Sequence, residues 1–86
     1  MILQIFSVRD VQAEAFMQPF FAPAIGAALR SLTDAVNDEK HEFSKHSSDY
    51  TLYHLGSFDD NTGMVIPEDT PKRIISCLEL VMKTTN

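Results

Sequence analysis

The side chains of this 86-residue chain that could bind a metal ion include three histidines, His41, His46 and His54. Their spacings of five and eight residues match no zinc-binding motif. Structural zinc sites usually draw on several thiolates, and Cys77 is the single cysteine of the chain. We therefore expect no metal, no cofactor and no disulfide, with Cys77 packing as a small hydrophobic residue in the core.

The most polar candidate for a binding site is the run Lys45-His46-Ser47-Ser48-Asp49-Tyr50. In one interpretation, His46 and Asp49 pair across a turn beneath Tyr50, which would make binding sensitive to pH. In the alternative, Ser48 or Asp49 only organises the start of a strand through hydrogen bonds to the backbone. No nucleophile motif or phosphate-binding loop accompanies these residues, and a chain this short leaves little room for a substrate cavity. The sequence therefore favours a binding protein over an enzyme.

Aromatic residues and prolines are interleaved in the segment 15–23, AFMQPFFAP. Because proline fits neither the interior of a helix nor a central strand, this segment is predicted to be an extended arm. Phe20 and Phe21 then either pack on the core or form an aromatic binding patch. Core packing is the preferred interpretation, since so small a domain needs its aromatic residues for stability.

The formal net charge is −5, from seven Lys and Arg against twelve Asp and Glu. One acidic stretch contains no basic residue, and its members are Asp59, Asp60, Glu68 and Asp69. Affinity for nucleic acids depends largely on Lys and Arg, which release counterions from phosphates. The charge therefore disfavours autonomous DNA binding, unless the fold gathers Arg9, Arg30 and Lys45 on one face.

These residues are expected to be positioned by a single α+β domain that spans 1–86. Residues 2–8 are rich in β-branched and aromatic residues and predict a central strand. The segment 50–66 predicts a β-hairpin, and the apolar spacing of 23–37 predicts an amphipathic helix. The expected architecture is a small antiparallel sheet, formed by the N-terminal strand and the hairpin, packed against this helix.

The C-terminal segment 70–82 has two interpretations. Asp69, Thr70 and Pro71 are typical of a capped helix start, and the apolar residues that follow fit helical spacing. The run RIISCLELV is also continuous enough for a strand. A second helix over 70–82 is the preferred interpretation.

Several segments resemble one viral family. They are FSVRD (6–10), AEAF (13–16), PFFAP (19–23), A-x-R-x-x-x-D-A-V-N-D (28–38) and KHSSDYTLYHLGSFDDNTG (45–63). Together they resemble the small nonstructural protein of gokushovirus-like microviruses, which are phages with circular single-stranded DNA. Family members usually have proline and an acidic residue where this chain has Ser47 and Ser48.

The resemblance implies a protein made in the cytoplasm of an infected bacterium, outside the virion shell and without established enzymatic activity. The family is often described as DNA-binding, or as an accessory of genome replication and packaging. It has no settled catalytic residue. No membrane partner is expected either, because the longest apolar runs are far shorter than the ~20 residues that a membrane-spanning helix needs.

Three functions are compatible with these features. The preferred one is an accessory protein that contacts a protein partner, either a phage replication or packaging component or a host factor. The alternatives are direct binding of single-stranded DNA and inhibition of a host factor by the acidic stretch, and a homodimer fits all three. The candidate binding residues are Arg9, Phe20, Phe21, Arg30, Lys45, His46, Asp49 and Tyr50.

Overall fold

A computed structural model describes residues 1–82 as an antiparallel sheet with a helical layer on one face. The strands are β1 (Ile2–Asp10), β2 (Ala15–Phe16), β3 (Phe20–Ala22), β4 (Tyr50–Asp59) and β5 (Val65–Ser76). The helices are α1 (Ile25–Val36) and α2 (Glu42–Lys45), and 3-10 turns span Ser47–Asp49 and Cys77–Leu80. The predicted α+β class is confirmed. No helix within residues 1–82 is long and apolar enough to cross a membrane.

Strand β1 lies inside the sheet, whose order is β2-β1-β4-β5 with β3 also pairing to β1. It pairs with β4 along its whole length, from Ile2 opposite Asp59 to Asp10 opposite Tyr50. On its other side it pairs with β2 and β3, which are two parts of the aromatic-proline segment. The predictions of a central N-terminal strand and an extended arm are therefore confirmed.

The covered face of the sheet is the face on which α1 packs. Phe6 and Val8 alternate along β1 onto this face, and Leu52 joins them from β4; all three are buried. Helix α1 turns Leu32 and Val36 toward them, as the apolar spacing of the predicted helix requires. The helix predicted over 23–37 is confirmed, and its observed bounds are Ile25–Val36.

The predicted helix over 70–82 is wrong, because this segment continues the hairpin as β5 up to Ser76. Ile75 pairs with Leu52, and a 3-10 turn follows from Cys77 to Leu80, capped reciprocally by Ser76 and Glu79. An isolated helix of this length is marginal in water, whereas β4 offers backbone partners to Lys72, Arg73, Ile75 and Ser76. The hairpin predicted over 50–66 is thus present, with a second strand much longer than expected.

The hairpin is irregular near its middle, where the residues 68–71 of β5 stand opposite Leu55 alone. On one side of this bulge, His54 Nδ1 lies 2.6 Å from Glu68 Oε2, and His54 Nε2 lies 2.7 Å from Gln4 Oε1. On the other side, a Cβ on Gly56 would collide with the backbone carbonyl oxygen of Ile66. The bulge is therefore held by a side-chain bridge and by a close approach of two backbones.

Prolines lie beside or within the edge strands of the sheet. Pro19 and Pro23 flank β3, and Pro67 and Pro71 lie in β5. Proline has no N–H to donate, so a proline-bearing edge is a poor template for another strand. The faces of the sheet are therefore better suited than its edges to contact other molecules.

Candidate functional site

The open face of the sheet is the face opposite α1. Because side chains alternate along a strand, Leu3, Ile5, Ser7 and Arg9 of β1 all point to this side. The paired strands extend these positions into rows across the sheet. One row consists of Phe16, Arg9, Thr51 and Ser76, and the next contains Ser7, Tyr53 and Arg73.

An aromatic pair with an arginine lies at one end of the open face. The rings of Phe16 and Tyr53 meet edge to face, with centroids 5.1 Å apart and planes at 75°. The guanidinium carbon of Arg9 lies 5.5 Å from the centroid of Phe16, within the range of a cation–π interaction. Phe16 is 40% exposed although it belongs to a strand. This end therefore presents a cation and aromatic surface to solvent.

A second aromatic pair lies farther along the same face. Phe21 and Phe58 also meet edge to face, with centroids 5.7 Å apart, and Phe21 is 53% exposed. The partner of Phe21 on β1 is Ile5, four residues from Arg9, a distance of about 13 Å along an extended strand. Between the two aromatic pairs lies Ser7, which is fully buried. Its hydroxyl donates a hydrogen bond of 2.6 Å to the Met17 carbonyl oxygen.

The charges on the open face differ from those of the whole chain. Arg9 and Arg73 are both directed to this face by the strand register. The described strands β1 and β4 contain two carboxylates, those of Asp10 and Asp59. Both residues alternate with the residues of the open face, so their side chains point to the covered side. One acid reaches the face from the 3-10 turn, since Glu79 Oε2 lies 2.8 Å from Arg73 Nη2.

Two hydrogen bonds hold the Glu79 side chain in that position. Its carboxylate accepts from the backbone N–H of Ser76 at 2.7 Å and from the Arg73 guanidinium. The Ser76 N–H, followed by Arg73, lowers the pKa of the Glu79 carboxyl below its usual value. Arg73 is therefore partly neutralised, and Arg9 is the stronger cation of this face.

The residues singled out from the sequence are divided between the two sides of the sheet. Arg9 and Phe21 lie on the open face, whereas Phe20 stacks on Phe6 inside, with ring centroids 5.7 Å apart. Arg30 is exposed on α1 and Lys45 is exposed on α2, so both belong to the helical layer. The three cations considered for DNA binding are thus not gathered on one face.

The side chains of His46 and Asp49 do not form the expected pair. His46 Nε2 lies 4.0 Å from Glu42 Oε2, and the Asp49 backbone N–H donates to the His46 carbonyl oxygen. The Asp49 carboxylate accepts from Gln12 Nε2 at 3.4 Å. Tyr50 is buried against Phe43, and burial raises the pKa of its hydroxyl. The run 45–50 therefore leads into β4 through backbone hydrogen bonds, and the alternative interpretation, in which the side chain of Ser48 or Asp49 bonds to the backbone, is not seen among residues 1–82 either.

Other titratable groups serve the fold. Burial raises the pKa of the Cys77 thiol to about 11, as suits a core residue. The hydrogen bond from His54 lowers the pKa of Glu68, and Lys72 adds to this effect. In the acidic stretch, Asp60 pairs with the N-terminal ammonium at 2.7 Å. Within residues 1–82, no three His, Cys, Asp or Glu side chains converge as metal ligands would.

An apolar groove opens between α1 and the covered face. Its volume is about 200 Å³, below the roughly 300–1,000 Å³ of most small-molecule sites. Its lining consists of Val8, Phe20, Ser31, Leu32, Ala35 and Phe43 and offers no titratable group. The groove therefore lacks the means for acid–base chemistry, and the open face is the better candidate site.

The candidate binding residues inferred from the sequence do not include Phe16, Tyr53, Phe58 or Arg73. Arg73 fell within the expected C-terminal helix, so its direction could not be inferred. Phe58 lies within the predicted hairpin, but the sequence does not indicate which face of the sheet its side chain occupies. The missing information was the strand register, because alternation assigns faces only after a register is known.

Comparison with known proteins gives one match. A family model described as Phage ORF5 protein matches residues 3–80, a range that covers almost all of the described sheet and helices. The chain matches no curated protein and no solved structure. Since the match extends over most of the sequence, the chain belongs to the Phage ORF5 protein family.

Proposed function

We propose that this phage protein binds single-stranded DNA on its open face, in the cytoplasm of the infected bacterium. Its role would be that of a non-enzymatic accessory of genome replication or packaging in a gokushovirus-like phage. The observation that carries the proposal is the arrangement of Arg9, Phe16 and Tyr53 on a sheet face that no helix of residues 1–82 covers.

Proteins that bind single strands without strict sequence preference combine cations for phosphates with aromatic rings for bases. Here Arg9 and Arg73 supply the cations, and Tyr53 lies between them in the rows of the sheet. The pair of Phe21 and Phe58 offers a second stacking surface on the same side. The face is therefore suited to an extended strand of several nucleotides.

The net charge of −5 weakens the attraction of the whole protein for DNA, but it does not by itself repel DNA from the open face. Repulsion between exposed charges is screened beyond about 8 Å at physiological salt, so acids on the covered side act weakly on the open face. Asp59, Asp60 and Glu68 are held at the hairpin turn and the bulge by hydrogen bonds. We expect modest affinity that falls steeply with salt.

The decisive test compares two arginines that differ in location. Arg9→Ala removes a cation from the open face, whereas Arg30→Ala makes the same change on α1 and serves as the matched control. Binding of a fluorescein-labelled oligothymidine of about 16 nucleotides is followed by anisotropy over a range of salt concentrations. We expect Arg9→Ala to weaken binding and reduce the salt slope by about 0.7, with Arg30→Ala close to wild type.

The aromatic contribution is tested with Tyr53→Leu, which keeps an apolar side chain but removes the ring. Stacking of one base is worth roughly 1–3 kcal/mol, so affinity should fall about fivefold or more. Phe43→Leu is the control, because Phe43 lies on α2 and is buried in the core, away from the open face. Circular dichroism confirms that each variant is folded.

Equal effects of the two arginine variants, or the absence of binding at low salt, would overturn the proposal. Either result would favour the preferred interpretation of the sequence, in which the protein contacts a protein partner. Under that interpretation the aromatic residues of the open face would contact a polypeptide.

A further inference from the structure

The two arginines of the open face differ in what their guanidinium groups contact. Arg9 lies over the ring of Phe16, and it forms no salt bridge with any carboxylate of residues 1–82. Arg73 is instead paired with Glu79, whose Oε2 lies 2.8 Å from Arg73 Nη2. The two arginines therefore present different charges to a ligand, although the strand register directs both of them to the same side of the sheet.

The Glu79 carboxylate occupies hydrogen-bond donors of Arg73 that a phosphate would use. Carboxylate and phosphate oxygens both accept charge-assisted hydrogen bonds from a guanidinium. The register pairs Arg73 with Tyr53, whose ring would stack on a base. A DNA strand that runs from Arg9 over Tyr53 therefore reaches Arg73 next, where its phosphate and the Glu79 carboxylate compete for one guanidinium.

Glu79 does not depend on Arg73 for its position. Its Oε2 also accepts a hydrogen bond of 2.7 Å from the Ser76 backbone N–H, in the capping box that begins the 3-10 turn. The pKa of its carboxyl is lowered by this N–H and by Arg73, so Glu79 is ionised at neutral pH. The Arg73 side chain is 53% exposed, and exposed ion pairs are only weakly stabilising. Arg73 can therefore turn from Glu79 to a phosphate while Glu79 stays in place.

We propose that Glu79 limits the affinity of the open face for single-stranded DNA by occupying the guanidinium of Arg73. This inference rests on the proposed function. A phosphate can bind Arg73 only when the pair with Glu79 opens, and the carboxylate then lies close enough to repel the phosphate. Arg9 is consequently the main phosphate contact of the wild-type protein, and Arg73 is a second contact that Glu79 suppresses.

Glu79→Gln tests the inference, because it removes the charge but keeps a side-chain oxygen that can accept from Ser76. A capping box accepts Gln as well as Glu at this position, so the turn is retained. Glu39→Gln is the matched control, since it makes the same change in net charge at an exposed turn between α1 and α2. Binding of the 16-nucleotide oligothymidine is followed by anisotropy over a range of salt concentrations.

We expect Glu79→Gln to tighten binding about fivefold at low salt and to steepen the salt slope by about 0.7, because one more cation contacts a phosphate. Glu39→Gln should stay within about twofold of wild type. Arg73→Ala should weaken binding by about twofold or less in the wild-type background, but it should remove the whole gain in the Glu79→Gln background. Circular dichroism establishes that each variant is folded.

Equal effects of Glu79→Gln and Glu39→Gln would overturn the inference, as would a gain in affinity that survives Arg73→Ala. In both cases the proposed function would stand, provided that the wild-type chain binds the oligothymidine and depends on Arg9. If neither the wild-type chain nor the Glu79→Gln variant binds at low salt, the proposed function fails and the inference fails with it.

Discussion

The two faces of the sheet use aromatic residues in opposite ways. On the covered face, Phe6 of β1 and Tyr50 of β4 are buried, and Tyr50 packs against the buried ring of Phe43 from α2. On the open face, Phe16 and Phe21 also pair with aromatic rings, those of Tyr53 and Phe58, but are about half exposed. Since the same short arm supplies Phe20 to one face and Phe21 to the other, residue type does not decide which face serves stability. The strand register does.

The largest expected effect is on the covered face. Leu52→Ala should lower the free energy of unfolding by about 2–5 kcal/mol, because Leu52 is fully buried and its removal leaves a cavity. The measurement is urea denaturation followed by circular dichroism. Leu78→Ala is the control, since Leu78 is 56% exposed and should cost only about 0.5 kcal/mol. If the Leu52 variant is too unstable to purify, Leu52→Val provides a milder change in the same direction.

An intermediate effect is expected at the bulge, where Glu68 bridges β5 to His54. Because the pKa of Glu68 is lowered in the folded protein from its ordinary value of 4.5, its stabilisation is fully present above pH 4.5 and is lost as pH falls from there through the lowered pKa. Glu68→Gln should cost about 1 kcal/mol at pH 7 and flatten the acid-induced loss of stability. Urea denaturation from pH 7 to pH 3 measures both effects.

Asp69→Asn is the control for Glu68→Gln, because Asp69 is exposed in the same bulge. It should change stability by less than about 0.5 kcal/mol. Equal pH dependence of the two variants would show that the bridge to His54 does not stabilise the bulge.

The smallest effect on stability is expected on the open face. Phe16→Ala removes a half-exposed ring whose main contact is Tyr53, so the loss should be about 0.5–1 kcal/mol. A loss as large as that of Leu52→Ala would erase the distinction between the two faces, since Phe16 would then be a core residue. Urea denaturation under identical conditions decides between them.

Much of the fold could be predicted from the sequence, because the strongest signals are local. The spacing of apolar residues on α1 and the β-branched run of β1 each identify their element without knowledge of the rest. Segment 70–82 was mispredicted because a local helix start competed with pairing to β4, which is a tertiary interaction. The proline in this segment signals a sheet edge as well as a helix start, and only the presence of a partner strand decides.

The candidate site could be predicted only in part for the same reason. Arg9 and Phe21 are candidates from the sequence because of their residue types and local surroundings. Their neighbours in the structure, Tyr53 and Phe58, are far away in sequence and could not be inferred in this way. A scattered set of cations also gave no indication that Arg30 and Arg9 are separated by the sheet. The site depends on which residues face each other across strands, and single-sequence patterns do not contain that information.

The central position of β1 has a consequence for how the protein is made. During synthesis, β1 leaves the ribosome before its full-length partner β4, which begins about forty residues after β1 ends. In the interval, the nearby arm can pair with β1 through β2 and β3 and cover one edge of this apolar strand. The arm can therefore protect the nascent chain from aggregation until Asp59 has been synthesised and the sheet can close.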